Sequence, residues 1–263
     1  THPVLETISL SPLAASRKER ERWLGLYDKH ATIEDPAGSL PYSADDPLRG
    51  LDSFYDTFIA HSDLTFHSEY DYVCGKTAVR DGTIRLDIGM ESHIEIPAFL
   101  RYEVSNSGKI SSLRAHWNPV RVAFRALGNR PGGLKYLTEA GKRLFVAEGL
   151  RGIGGLTKGA INTAVGARST VLRLKEYLES GRYSDAISLF AIDGGEEIIL
   201  YSNKIEAQPA RYLTIGELKL ISMTKMIENR NCLSLRCNFM LGGKRRTGVA
   251  FFSFAAAGFK IQA

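Results

Sequence analysis

The spacing of apolar residues in the first 118 residues changes from a helical to a strand-like period at about residue 64. Ser11 and Pro12 suit the first turn of a helix, which is predicted to span residues 11–30. A second helix is predicted over residues 50–62, where aromatic and aliphatic side chains recur at helical spacing. Alternating apolar and polar residues then predict strands, from residue 64 onward and near 78–90, 91–104 and 109–117.

Helices followed by a meander of long antiparallel strands indicate an α+β fold in which a curved sheet wraps around helices. The same order returns after residue 168. Helices are predicted over 171–178 and 183–190, and strands near 196–207, 211–227, 230–241 and 246–254. We therefore predict a tandem repeat of two cone-shaped domains, 1–118 and 169–263, each with a curved antiparallel sheet, helices and an apolar pocket.

The predicted bridge between these domains, residues 119–168, is basic and rich in glycine, which disfavours one long rigid helix. It contains nine Lys or Arg and only two Glu, in a chain whose net charge is +5. Three interpretations are open: a solvated linker, a surface that contacts anionic membrane, and a nucleic-acid site. The last is disfavoured because no known motif and no interleaved exposed aromatic residues accompany the charge, so we expect no nucleic-acid partner.

The composition is typical of a globular protein, with 44% apolar and 24% charged residues among 263. No stretch approaches the roughly 18 consecutive apolar residues that cross a bilayer, and the N-terminus lacks the pattern of a secretory signal. Cys74, Cys232 and Cys237 are expected to be thiols in a reducing compartment, so a cytoplasmic location is expected. The histidines show no ligand spacing, and no metal site is predicted.

The strongest candidate for chemistry is Asp35, in the sequence Glu34-Asp35-Pro36-Ala37-Gly38 at the end of a predicted short strand. Pro36 disfavours helical backbone at Asp35, and Gly38 allows the chain to turn back. A carboxylate held there is a candidate general base at the mouth of a pocket. The alternative is a turn residue whose carboxylate accepts backbone amides. Glu34 is expected to point the other way, toward solvent, without a role.

Three stretches of the first 118 residues resemble the ketosteroid isomerase-like branch of the nuclear transport factor 2-like superfamily, which also holds SnoaL-like polyketide cyclases. They are Leu26 to Ser39 (LYDKHATIEDPAGS), Arg49 to Tyr55 (RGLDSFY) and Gly108 to Ala115 (GKISSLRA). The resemblance implies a cone in which a strongly curved sheet and helices close over an apolar pocket. Residues 169–263 resemble a degenerate copy that lacks the Glu-Asp-Pro sequence.

In the isomerases of this family a carboxylate shuttles a proton between two carbons beside a carbonyl group, and the resemblance assigns that role to Asp35. It also implies two donors to the enolate oxygen, a Tyr on the first helix and a protonated Asp on a later strand. No Tyr precedes Tyr27, and the strand position falls on Phe99 or Leu100, so neither donor has a counterpart. The side chains expected to bind substrate instead are Tyr55, Phe99, His116 and Trp117.

The leading hypothesis is therefore an isomerase-like, lyase or cyclase enzyme that needs no cofactor and acts on a steroid-like or polyketide-like apolar molecule. The alternative is a non-catalytic binding or carrier protein for a hydrophobic small molecule, in which Asp35 is structural. A third hypothesis is a scaffold. For assembly, the open sheet face predicts either a homodimer or an intramolecular pseudo-dimer between the two domains.

Overall fold

The computed structural model describes residues 2–89, 92–128, 132–143, 146, 164–189, 219–229, 232–241, 243–254 and 261–262. Its elements form two groups along the chain, each with helices followed by strands. The first group comprises α1 (Pro3–Ser16), α2 (Arg20–Gly25), β1 (Tyr27–Glu34), β2 (Tyr42–Ser43), α3 (Leu51–Phe54, continued by a π-helical turn over Tyr55–Ile59), β3 (Asp63–Cys74), β4 (Thr77–Gly89), β5 (Ser92–Val104) and β6 (Ile110–His116). The others are α4 (Pro119–Gly128), α5 (132–143), α6 (Ala164–Glu179), α7 (Tyr183–Ser188), β7 (Lys219–Asn229), β8 (Cys232–Leu241), β9 (Lys244–Phe254) and β10 (Ile261–Gln262).

The predicted helix over 11–30 is wrong in its limits, because the chain forms two shorter helices and then a strand. Helix α1 begins at Pro3, and the His2 ring accepts a hydrogen bond from the Val4 amide at 3.3 Å. Ser11 does not cap a helix; it lies within α1 and is buried. Tyr27 begins β1 rather than ending a helix, because its backbone pairs with Ile110 of β6.

The first sheet confirms the predicted strand meander and adds one parallel pair. Its order is β2-β1-β6-β5-β4-β3, and all neighbours are antiparallel except β1 and β6. The mixed α+β architecture with a curved sheet agrees with the prediction. A large core cluster joins the helices to one face of this sheet, with Trp23, Phe54, Leu100 and Tyr102 among its members. Because strand residues alternate between faces, Phe99 and Arg101 lie on the other face.

Helices α4 and α5, called here the covering helices, pack on the first sheet and are not a solvated linker. Ala126 of α4 is completely buried in a cluster with Leu86, Ile94 and Ile96, and Tyr136 and Leu137 of α5 pack against the same cluster. Where the two helices meet, Gly133 lies so close to α4 that an added Cβ would stand 1.7 Å from the Ala126 carbonyl oxygen. The first part of the predicted bridge therefore belongs to the first folded unit.

The second group forms a four-stranded antiparallel sheet in the order β10-β9-β8-β7. The predicted helix over 171–178 lies within α6, whose side chains Val171, Leu174 and Leu178 form a second core with β8. Strands near 230–241 and 246–254 are confirmed. The strand predicted over 196–207 and the first part of the one over 211–227 lie outside the described residues.

The two sheets contact each other through the face of the first sheet that is remote from its helices. Phe99 packs there in a cluster that includes Ile227, Val249 and Phe251. At the same contact the buried Asp81 carboxylate accepts hydrogen bonds from Lys225 Nζ and Arg236 Nε, both at 2.5 Å. An apolar patch and a buried ionic group thus join the two sheets.

Candidate functional site

Asp35 directly follows β1, on the helix side of the sheet, and the residue is half-buried. Trp117, just beyond β6, donates its indole N–H to Asp35 Oδ1 at 2.5 Å. Burial raises the pKa of Asp35 from 3.8 to about 6, and the Trp117 hydrogen bond opposes part of that rise. Desolvation dominates because a carboxylate loses more on burial than a single N–H donor restores. The result is a carboxyl group that is largely ionised at neutral pH and retains the basicity needed to accept a proton.

Glu34, and not Asp35, holds the turn that follows β1. Glu34 Oε2 accepts hydrogen bonds from the Gly38 amide at 2.8 Å and from Arg114 Nη2 at 3.1 Å. Gly38 has φ of 83°, in the left-handed region that glycine adopts without strain. This corrects the expectation that Glu34 has no role, and it frees the Asp35 carboxylate from stabilising the turn.

Buried hydroxyl groups lie near Asp35, and their positions were missed at the sequence level. The Ser11 hydroxyl lies 3.1 Å from the Tyr27 hydroxyl and also hydrogen-bonds Tyr102. Burial is the main cause that raises the pKa of both phenols, that of Tyr102 to about 12, and the Asp35 charge raises both further. They therefore stay protonated at neutral pH and remain hydrogen-bond donors. Helix α1 thus contributes the Ser11 hydroxyl to this cluster.

A third phenol reaches this region from the covering helices. Burial raises the pKa of Tyr136 on α5, and the Asp35 carboxylate adds to that shift. Trp117 packs against both the main core and the cluster beneath the covering helices. The contacts with Tyr136 and Trp117 show that Asp35 lies where the first sheet meets the covering helices.

Tyr55, the first of the expected binding residues, is buried in the core, where its ring lies 5.5 Å from that of Trp23. Burial raises its phenol pKa, and its nearest charges are those of Arg20, Asp56 and Lys18. Its hydroxyl has no hydrogen-bond partner among the described residues. Tyr55 therefore belongs to the helix end of the core, beside α2.

Phe99 and His116 lie on the opposite face of the sheet from Asp35, which corrects their expected place in the pocket. The two residues pair across β5 and β6, and the His116 ring lies 4.5 Å from that of Phe251 in the second sheet. Burial, with Arg114 and Arg101 nearby, lowers the pKa of His116 to about 3. The alternation of β5 carried the missed signal, because Tyr102 shares the inner face with Leu100.

An open groove of about 1170 Å³ runs beside the helix end of the cone. Its wall includes Tyr27, Leu51 and Thr57 from the first unit and Lys142 and Arg143 from α5. Tyr27 therefore belongs both to the hydroxyl cluster and to the groove wall. In the described part of the chain, no group of three or more His, Cys, Asp or Glu side chains is arranged to hold a metal ion.

Comparison with solved structures finds similar folds for slightly less than half of the chain. Rv0760c from Mycobacterium tuberculosis is 25% identical, over 45% of this chain and 92% of that one, with a TM-score of 0.39. Δ5-3-ketosteroid isomerase from Mycobacterium sp. is also 25% identical, over 45% and 95%, with a TM-score of 0.39. SalBIII, an epoxide hydrolase/cyclase-like enzyme of salinomycin pyran ring formation, is 17% identical over 44% and 92%, with a TM-score of 0.38.

The similarity lies in the N-terminal part of the chain, the part for which the resemblance was stated. Rv0760c has also been solved in complex with estradiol-17β-hemisuccinate. No family model and no curated protein matches the chain. None of the described helices is long and apolar enough to cross a membrane.

Proposed function

We propose that this protein is a cofactor-independent proton-transfer enzyme that isomerises an apolar carbonyl compound of the steroid or polyketide class, with Asp35 as the base. The observation that carries the proposal is the environment of Asp35: a half-buried carboxyl group, hydrogen-bonded by Trp117, whose pKa desolvation raises to about 6, near phenols that stay protonated. A base is most useful when its pKa lies close to the working pH. A carboxylate that only ligates a metal or stabilises a turn works in its ionised form, so a raised pKa would bring it no advantage.

The chemistry follows from the charges. Ionised Asp35 removes a proton from a carbon beside the substrate carbonyl, and the electron pair moves onto the carbonyl oxygen to form an enolate. Tyr102, Tyr27 and Tyr136 supply the nearby O–H donors for the enolate oxygen, and one such donor is worth about 100- to 1,000-fold in rate. Protonated Asp35 then returns the proton to a second carbon, which completes an isomerisation with no net gain or loss of atoms.

For the second half of the chain, we propose a degenerate second cone that acts as the built-in partner of the first. Support comes from its element order and from the positions that meet: Asp81 and Arg236 are each the fifth residue of their strands, β4 and β8. Phe99 and Phe251 are each the eighth residue of β5 and β9, and their rings lie 6.3 Å apart. Equivalent positions that face each other are typical of a pseudo-twofold interface.

The decisive experiment compares the full chain with its Asp35→Asn variant. The matched control is Asp87→Asn, because Asp87 is an exposed aspartate on β4. Absorbance follows conversion of a β,γ-unsaturated ketosteroid, and thermal shift follows binding of the same steroid. We expect turnover by the wild type and by Asp87→Asn, a loss of about 100- to 10,000-fold in Asp35→Asn, and retained binding in all three. Absence of turnover in the wild type, with a thermal shift that survives Asp35→Asn, would instead identify a carrier.

A further inference from the structure

The outer side of the covering helices exposes apolar side chains. Phe124 and Leu127 lie on the solvent side of α4 and are 70% and 39% exposed, and Leu134 on α5 is 54% exposed. The inner side is already occupied, since Val122, Ala126 and Leu137 pack on the first sheet. These exposed side chains therefore take no part in the core beneath the covering helices.

Basic residues accompany these apolar side chains. The described residues of the covering helices carry five basic side chains, Arg121, Arg125, Lys135, Lys142 and Arg143, and one acidic side chain, Glu139. Arg125 donates to the Glu95 carbonyl oxygen, and Lys135 lies 4.0 Å from Glu139, while Arg121 and Lys142 are exposed. A helix pair with an apolar stripe and a surplus of cations is complementary to an anionic, partly apolar surface.

The same two helices close the end of the cone at which Asp35 lies. Tyr136 of α5 and Trp117, two residues before α4, are the side chains that link the covering helices to Asp35. Gly133 brings the start of α5 directly against Ala126 of α4, so the exposed Leu134 and Leu127, which follow these two residues, lie close to each other. A partner seated on this surface would be next to the covered end of the pocket.

We propose that the outer surface of the covering helices docks on an anionic phospholipid bilayer, with Phe124, Leu127 and Leu134 inserted at the interface and Arg121 near lipid phosphates. A bilayer accounts for both features, because it takes up aromatic and aliphatic side chains and attracts juxtaposed cations. A nucleic acid would use the cations but would leave Leu127 and Leu134 without a role. If the proposed function holds, the docked protein receives its apolar substrate from the bilayer.

Sedimentation of the full chain with vesicles tests the proposal. We expect binding to vesicles of phosphatidylcholine with phosphatidylglycerol, little binding to phosphatidylcholine alone, and weaker binding at high salt because exposed charges are screened. Phe124→Ser with Leu134→Ser is expected to weaken the partition constant at least about tenfold. Replacing Arg121 by Ser is expected to weaken it about fivefold, the factor that corresponds to roughly 1 kcal/mol for each cation near a charged membrane.

Leu172→Ser on α6 is the matched control, because Leu172 is an exposed apolar residue on a helix outside this surface. A loss for Leu172→Ser as large as that for the double variant Phe124→Ser with Leu134→Ser, or no wild-type binding to anionic vesicles, would overturn the proposal. Binding to a DNA or RNA oligonucleotide in place of vesicles would also overturn it. The assay needs no turnover, so it separates failure of docking from failure of the proposed enzyme activity.

Discussion

At the scale of single residues, the fold makes the Asp35 carboxylate a stronger base than it is in the unfolded chain. Its pKa lies near 6, whereas the same side chain in an unfolded chain titrates near 3.8. Trp117 is the neighbour that moderates the shift, through one N–H donor. The pair therefore sets the pH at which a base becomes available.

The pH profile of turnover follows from this value. Since the base must be ionised, kcat/KM is expected to rise with pH, reach half its maximum near pH 6 and remain level to pH 9, because the nearby phenols ionise far higher. Trp117→Phe removes the donor that stabilises the carboxylate, so its profile is expected to move to higher pH by about one unit. Steady-state rates between pH 4.5 and 9 measure both curves; superimposable profiles for the two proteins would contradict this role for Trp117.

Stability should change in the opposite sense from activity. Between about pH 4 and pH 6 the unfolded chain releases the Asp35 proton while the folded protein keeps it, so the free energy of unfolding falls as pH rises through that range. Above pH 6 the deficit is constant and amounts to roughly 3 kcal/mol. Asp35→Asn is therefore expected to be more stable than the wild type at pH 8 and similar at pH 4.

Urea unfolding at the two pH values measures that difference. A structural role predicts the reverse, with Asp35→Asn destabilised by about 1 kcal/mol at both pH values. The turn itself supplies a reference, because Glu34→Gln weakens the contact with Arg114 and should be destabilising at pH 8. Such a pair of results would separate the residue that holds the turn from the residue that carries the chemistry.

At the scale of elements, the covering helices depend on one close backbone approach. Gly133 of α5 faces the Ala126 carbonyl of α4, and a methyl group there has no space. Ala126 is itself fully buried against the sheet, so α4 has no room to retreat. The position of Tyr136, three residues later, follows from this contact.

Gly133→Ala is accordingly expected to displace α5, expose Tyr136 and lower turnover, while the rest of the fold stays intact. Hydrogen–deuterium exchange should show faster exchange confined to the covering helices. Gly141→Ala in the same helix is the control, because no atom lies within 4 Å of its added Cβ and Ala stabilises a helix by about 1 kcal/mol relative to Gly. Faster exchange in both variants, or in neither, would argue against the close contact.

At the scale of the whole molecule, Asp81 is the polar centre of the contact between the two sheets. It is fully buried and bonded by Lys225 and Arg236, which are themselves mostly buried. Removing this buried carboxylate would leave Lys225 with only the Gly82 and Ala98 carbonyl oxygens and Arg236 with only Glu69, so two mostly buried cations would lose their shared counter-charge.

Asp81→Ala is expected to lower the free energy of unfolding by about 3–5 kcal/mol. The exposed pair of Asp87 with Arg85 is the matched comparison, for which Asp87→Ala should cost less than about 1 kcal/mol. Chemical denaturation of both variants measures the difference. A small effect of Asp81→Ala would mean that the two sheets fold independently and would argue against a built-in partner.

Local pattern determined much of the first unit. Alternation and turn residues were sufficient to place β3 to β6, and the Asp-Pro-x-Gly turn was sufficient to single out Asp35, because strand period and turn chemistry act over a few residues. The start of α1 was misplaced because Ser11 and Pro12 are residue types that favour the first turn of a helix, whereas in the structure both lie inside α1.

Only the tertiary structure decided which side chains surround Asp35 and which face the second sheet. Tyr27, Tyr102 and Tyr136 come from three separate elements, and their approach to one carboxyl group depends on long-range packing that no local pattern contains. Phe99 and His116 lie on the face opposite to the one expected, because a difference of one residue along a strand exchanges the two faces of a sheet. The pKa of Asp35 was likewise undetermined by sequence, since desolvation arises from neighbours that only the fold brings together.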